Sequence, residues 1–204
     1  MPTPLATGSD GLARCSWGAS TPDYLRYHDE EWGRPVTDDR GLYERFVLEG
    51  FQSGLSWLTI LRKRENFRAA FAGFEIEAVA EFGERDVERL LADAGIVRHR
   101  GKIEAAIANA VAARAMQEAG ESLSELVWSH APARRRRAPR SFGDVPAITP
   151  ESTALSKELK RRGFRFVGPT TAYAAMQACG VVNDHLAGCW VRAEVEALSS
   201  PGDG

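Results

Sequence analysis

The sequence predicts an all-α domain, and three observations carry that prediction. Apolar residues recur at helical spacing in several windows, caps and stop glycines bracket those windows, and no stretch shows sustained period-two alternation. A chain of 204 residues suits one domain, and 44% hydrophobic with 26% charged residues is the balance of a protein that buries a full core. No apolar run approaches the ~18 residues of a membrane span, so no membrane partner is expected.

Taken in order, residues 1–13 have neither a basic nor an apolar leader region and read as a flexible N-terminal tail. Tyr43, Phe46, Val47 and Phe51 follow Leu42 at near-helical spacing, after an N-cap at Thr37 or Asp38. Val87, Leu90, Leu91 and Ala94 repeat at i, i+3, i+4 and i+7, with Gly95 as the stop. Ile103, Ala106, Ile107, Ala110 and Val111 form the next stripe, running to Gly120. Thr149 and Pro150 read as an N-cap and first helical residue, with Gly163 as the end. Gly168-Pro169 opens a further helix through Tyr173 and Met176 to Gly180. Residues 129–150 hold four prolines and five arginines and read as a long loop or a poorly ordered insertion. Residues 14–198 then form the single domain, and 199–204 a flexible C-terminal tail.

Two Cys/His pairs stand at opposite ends of the chain: Cys15 with His28, and His185 with Cys189. Two of each would fill a tetrahedral zinc site with no open position. Four residues apart, His185 and Cys189 share a face on a helical turn. Their distance from the first pair is far wider than in a zinc finger, and the spacing alone equally fits buried thiols and an unrelated surface histidine. An odd number of cysteines and no export signal argue against a disulfide framework and for a reduced, cytoplasmic setting.

The net charge of −2 gives no global attraction to a polyanion, but basic residues cluster at 98–102, 134–140 and 157–165. The first cluster lies in Gly95-Ile-Val-Arg-His-Arg-Gly101, between two helical stripes. Glycine at each end permits positive φ and close backbone approach, so amides at the second helix start could face a phosphate, supplemented by Arg98, Arg100 and Lys102. An ordinary helical hairpin with a basic turn is the other reading.

Glu49 falls seven residues after Leu42 and three after Phe46, beside apolar neighbours. A carboxylate there is costly unless it has a partner. Small residues Gly50, Ser53, Gly54 and Ser56 follow, then Trp57, while Trp17, Tyr24, Tyr27 and Trp32 form a second aromatic group near His28. An acid among flat rings suits a planar, hydrogen-bonding, cationic ligand such as a charged nucleobase. Core packing is the alternative role for any single ring.

Together these segments resemble the 3-methyladenine DNA glycosylase I family of helix-hairpin-helix glycosylases. The matching pieces are Arg14-Cys-Ser-Trp17, Tyr27-His-Asp-Glu-Glu-Trp-Gly33, Leu48-Glu-Gly-Phe-Gln-Ser-Gly-Leu-Ser-Trp57, Asp93-Ala-Gly-Ile-Val-Arg-His-Arg-Gly-Lys102, Gly163-Phe-Arg-Phe-Val-Gly168 and Met176-Gln-Ala-Cys-Gly180 through Asn183-Asp-His185. They occur in family order over roughly residues 14–190. The resemblance implies a helix-hairpin-helix fold whose termini are joined by one structural zinc on Cys15, His28, His185 and Cys189, leaving Cys179 as a spare buried thiol. It also implies excision of N3-methyladenine from double-stranded alkylated DNA. No lysine stands out as a Schiff-base nucleophile, so a monofunctional glycosylase is expected, and a monomer is expected too. Glu49 matches the base-recognising, catalytic carboxylate. Tyr27 and Trp57 line the base pocket, completed by Trp17, Tyr24 and Trp32. Gly54 and Leu55 match the tip inserted into DNA, and Gly95, Arg98, Arg100, Gly101 and Lys102 the hairpin anchor. The region 129–150 follows no family pattern. A single carboxylate and no acid partner are expected in the pocket. The rival readings are a zinc-stabilised, non-catalytic DNA-binding module and a glycosylase for oxidised or mismatched bases.

Overall fold

The computed structural model describes residues 3–133 and 137–198. Among them a strand pair, β1 (Leu5–Thr7) and β2 (Ala13–Cys15), precedes ten α-helices. These are α1 (Pro22–Glu30), α2 (Asp39–Gln52), α3 (Trp57–Ala70), α4 (Ile76–Ala80), α5 (Glu84–Ala92), α6 (Arg100–Glu118), α7 (Leu123–Ser129), α8 (Pro150–Arg161), α9 (Pro169–Ala178) and α10 (Val191–Leu198). The mostly helical expectation holds. None of these helices is long and apolar enough to cross a membrane.

The strands correct the reading of residues 1–13 as a tail. Leu5 pairs antiparallel with Cys15 and Thr7 with Ala13, a ladder of three residues a side that is too short to leave an alternating pattern in sequence. The C-terminal tail at 199–204 lies outside the described residues.

Each expected helix forms, and its cap explains its start. Asp38, not Thr37, caps α2 and accepts from the Gly41 amide at 2.8 Å. Thr149 caps α8, accepting from Ser152, with Pro150 at the first helical position. The helix carrying Val87 and Leu90 stops at Ala92, so Ala94 and Gly95 lie in the following turn.

α2 is the central element. Leu42, Tyr43, Phe46, Val47, Leu48 and Phe51 are all buried, which takes in every side of the helix. It packs against α9, α6, α3 and α7. The Tyr43 hydroxyl donates to the Ala106 carbonyl on α6 at 2.9 Å, so even its polar group is satisfied inside the core. A second, smaller apolar cluster of Cys15, Leu186, Cys189, Val191 and Val195 joins the two ends of the chain.

Candidate active site

Because α2 is enclosed on all sides, Glu49 is only 7% exposed. It lies on the wall of a cavity of about 500 Å³, a volume typical of small-molecule sites. No described residue donates a hydrogen bond to its carboxylate, and burial pushes its pKa up to about 8 against a weaker opposing pull from Arg45.

The aromatic wall comes from the starts of two helices and the segments beside them. Thr21 caps α1 through the Tyr24 amide and Pro22 occupies the first helical position, which sets Tyr24, Tyr27 and His28 along one side. The Tyr24 hydroxyl accepts from the Leu58 amide at 3.0 Å and so ties α1 to α3. Trp57 opens α3 behind the cap Ser56, and its ring centroid is 5.5 Å from that of Tyr27. Trp17 meets Tyr24 and Trp32 edge-on at 5.5 and 5.1 Å. All five rings line the cavity with Glu49. The Trp57 indole N–H is buried with no partner among the described residues, and burial holds the Tyr27 hydroxyl well above the usual phenol range.

The wall also includes residues that the sequence reading did not assign to the pocket, among them Tyr173, Gln177 and Asp184. Asp184 lines the cavity too, accepting from the Tyr173 hydroxyl at 2.5 Å and Gln177 at 2.9 Å. The expectation of a single carboxylate is therefore corrected. Asp184 reaches the cavity through its partners Tyr173 and Gln177 on α9, a placement that no local sequence pattern signals.

The Pro/Arg-rich stretch contributes as well. Phe142, Val145, Pro146 and Ala147 close one side of the cavity. The Pro139 carbonyl accepts from the Ala187 amide at 2.7 Å, and Asp144 caps the turn at Arg140 and Ser141. From residue 137 onward this segment is a docked wall, not an insertion without order. Arg134, Arg135 and Arg136 lie outside the described residues.

At the α2–α3 corner Gly54 takes φ +82, a backbone that only glycine adopts freely, and Leu55 is exposed beside it. The α5–α6 turn departs from expectation in two ways. Neither Gly95 nor Gly101 has positive φ. Gly95 serves close approach instead, since a Cβ there would sit 2.9 Å from Asp93 and 3.2 Å from Asn66. Two of the three basic side chains already have partners within this chain, Arg100 at the surface and Lys102 in the interior. Arg100 pairs with Glu84 and Glu88. Lys102 is buried and donates to the Phe51 and Ser53 carbonyls at 2.9 and 2.6 Å, holding the end of α2. Arg98 is exposed and has no carboxylate partner among the described residues. His99 caps α6 by accepting from the Lys102 amide, while the Arg100 and Gly101 amides donate to no described group.

Cys15, His28, His185 and Cys189 converge, all buried, with their ligand atoms within 4.8 Å of one another. The Cys189 sulfur is 3.5 Å from His28 Nε2 and 3.6 Å from His185 Nδ1. Ligands at about 2.0–2.3 Å around one tetrahedral ion lie roughly 3.3–3.8 Å apart, so the group fits zinc. The outer nitrogens are engaged in the way metal-bound histidines require: His28 Nδ1 with Asp29 at 2.7 Å, His185 Nε2 with the Trp32 carbonyl at 3.0 Å. His185 and Cys189 are brought together by a turn ahead of α10, closed from the Cys189 amide to the Leu186 carbonyl, and not by a helix. Cys179 is a free buried thiol elsewhere, pushed up to about 12 by burial.

The chain matches the family model described as methyladenine glycosylase over residues 17–193. It is 52% identical over 181 residues to DNA-3-methyladenine glycosylase 1 of Escherichia coli (strain K12), an alignment covering 87% of this chain and 96% of that one. A crystal structure of 3-methyladenine DNA glycosylase I superimposes with a TM-score of 0.84 at 52% identity, over 87% of this chain and 98% of its own. A point variant of 3-methyladenine DNA glycosylase I, solved in complex with 3-methyladenine, gives 0.83 at 36% identity over 88% and 97%. With a family model spanning most of its length and a relative at 52% identity, this chain belongs to the methyladenine glycosylase family.

Proposed function

We propose that the protein hydrolyses the N-glycosidic bond of N3-methyladenine in alkylated duplex DNA, releasing the free base and leaving an abasic site. The observation that carries this reading is Glu49, a buried carboxyl with no hydrogen-bond donor of its own, inside an aromatic cavity with room for a purine. The family relationship supports the same substrate: a relative is named for 3-methyladenine, and a structural neighbour was solved with that base bound.

The target base first leaves the duplex stack, at a cost of a few kcal/mol that damage lowers. Methylation at N3 gives the purine a positive charge and makes it a good leaving group without protonation. The protein's work is then selection, positioning and stabilisation of charge. With a pKa of about 8, Glu49 holds its proton in the ligand-free cavity at neutral pH. A cationic purine offsets the desolvation penalty, so the carboxylate ionises against it and accepts from its amino edge. Tyr27 and Trp57 stack on the ring, and Trp17, Tyr24 and Trp32 complete the enclosure. A neutral adenine offers no such compensation.

Gly54 and Leu55 at the α2–α3 corner fill the gap left by the everted nucleotide. The α5–α6 unit acts as a helix-hairpin-helix anchor: the free amides of Arg100 and Gly101, with the Arg98 guanidinium, take a backbone phosphate. Lys102 and Arg100 contribute by shaping this unit, their charges being already committed. One zinc on Cys15, His28, His185 and Cys189 ties the chain ends together and leaves no coordination position for substrate. Among the described residues no lysine lines the cavity, which fits a monofunctional glycosylase without strand cleavage. A non-catalytic DNA-binding module is disfavoured, because an enclosed carboxylate pocket does nothing for phosphate binding. Chromatography of bases released from methylated duplex DNA tests the proposal: N3-methyladenine should appear, and its absence with folded, zinc-loaded protein would refute it.

A further inference from the structure

Phe166 takes φ +54, a left-handed conformation in which a bulky side chain is an outlier. Two buried polar side chains hold it there. Asn109 on α6 grips the preceding residue from both sides, accepting from the Arg165 amide at 2.6 Å and donating to its carbonyl at 3.1 Å. Ser156 on α8 donates to the Val167 carbonyl at 2.6 Å. Both clamps are 2% exposed. The outcome is an aromatic ring left 44% exposed between Phe164 and Val167, which are buried. Phe74 takes a similar φ of +60 but is fully buried in the core, whereas Phe166 keeps its strained backbone with the ring in solvent, where packing does not account for it.

The position of the ring identifies its partner. It meets His99, the cap of α6, at 6.5 Å between centroids and nearly perpendicular. Behind it lies the last turn of α2, where a Cβ on Gly50 would come within 3.4 Å of the Phe166 Cβ. The residues adjoining these two rings, Arg98 and Arg165, have no carboxylate partner among the described residues. Other arginines of the same basic segments are neutralised: Arg100 by Glu84, Arg161 by Glu158, Arg162 by Glu121. An exposed ring flanked by two unpaired cations, next to the free amides of Arg100 and Gly101, matches a sugar–phosphate chain. Phosphates meet the guanidiniums and amides, and the ring meets the apolar face of the deoxyribose between them.

We propose that Phe166 is a DNA contact residue, packing on a deoxyribose of the strand gripped by the α5–α6 turn. This rests on the glycosylase reading for its substrate but makes its own prediction about duplex binding. Phe166→Gly removes the ring, and the relief of positive φ offsets part of the lost packing and added chain entropy, so the variant should stay folded and melt near the wild-type temperature. Its affinity for a duplex carrying an abasic-site analogue, followed by fluorescence anisotropy, should fall about tenfold, the loss expected for one aromatic contact. Binding of free 3-methyladenine, followed by tryptophan fluorescence, should not change. The slope of log affinity against log salt should stay as in wild type, whereas Arg165→Gln should lower it by about one. Unchanged duplex affinity in Phe166→Gly overturns the proposal, as does an equal loss of free-base and duplex affinity, which would make the ring a support of the cavity. If wild-type protein binds duplex in this Phe166-dependent way yet releases no base, the glycosylase reading fails and the DNA contact stands.

Discussion

Arg45 lies one helical turn before Glu49 on α2, yet its guanidinium donates to Glu31 at 3.1 Å and not to Glu49. Glu31 also receives Arg64 at 2.8 Å. Arg45 further covers the Tyr27 ring at 5.8 Å. The nearest opposite charge is thus felt by Glu49 but bonded elsewhere, and the carboxyl is left to the ligand.

One consequence is a pH-dependent stability. The unfolded chain loses the Glu49 proton near the ordinary value of 4.5, while the folded protein keeps it to about 8. The stability linked to that proton is complete below the unfolded value and is lost as pH rises from there through about 8. Glu49→Gln removes the dependence. Its melting temperature should match wild type near pH 4.5 and exceed it above pH 8, by an amount equivalent to a few kcal/mol at most. Thermal melts across this range check it; a constant offset at every pH would contradict the buried, unpartnered carboxyl.

Zinc removal should act on stability. Metal analysis of purified protein should give about one zinc per chain. Chelation, or Cys189→Ser, should lower the melting temperature by more than ~5 °C, because the four ligands join the β1–β2 end to the segment before α10. Asp29→Asn, which weakens the support of His28 Nδ1, should lower metal affinity about tenfold or more. Protein without zinc, with a melting curve indifferent to chelator, would remove the metal from the account.

Lys102→Met tests the link between the α5–α6 turn and the α2–α3 corner proposed to enter DNA. It strips a donor from the Phe51 and Ser53 carbonyls, a loss of about 1–3 kcal/mol in stability. Binding of free 3-methyladenine should persist while affinity for duplex DNA drops. Wild-type duplex affinity in this variant would show that the corner holds its shape unaided.

Trp57→Ala removes one face of the aromatic cavity proposed to hold the base. Stacking on an aromatic ring contributes about 1–3 kcal/mol per base, so affinity for free 3-methyladenine should fall roughly tenfold or more. Titration calorimetry measures it directly.

The sequence made the pocket visible because its parts are local. Glu49 and Trp57 come from one helix–turn–helix run, and Tyr24 and Tyr27 share one side of α1. The four Cys/His residues were visible by type, although a turn and not a helix joins the last two. What escaped depends on distant partners. Lys102 reads as a surface cation until the carbonyls of Phe51 and Ser53, about fifty residues away, are seen to receive it. Arg100 reads the same way until Glu84 and Glu88 surround it. The wall from Phe142 to Ala147 has the composition of a loop, and the docking of Pro139, just ahead of it, on the Ala187 amide is a long-range contact that the sequence does not signal.

The most direct test of the role of Glu49 is single-turnover release of N3-methyladenine from methylated duplex DNA by wild type and Glu49→Gln, on samples matched for zinc content and each shown to be folded at the assay pH. The amide keeps the size of the side chain but cannot become an anion facing the charged purine. Release should slow by at least tenfold while duplex affinity holds, since a lost charge-assisted contact is worth about 1.5–3 kcal/mol. Equal rates in the two proteins would contradict the account.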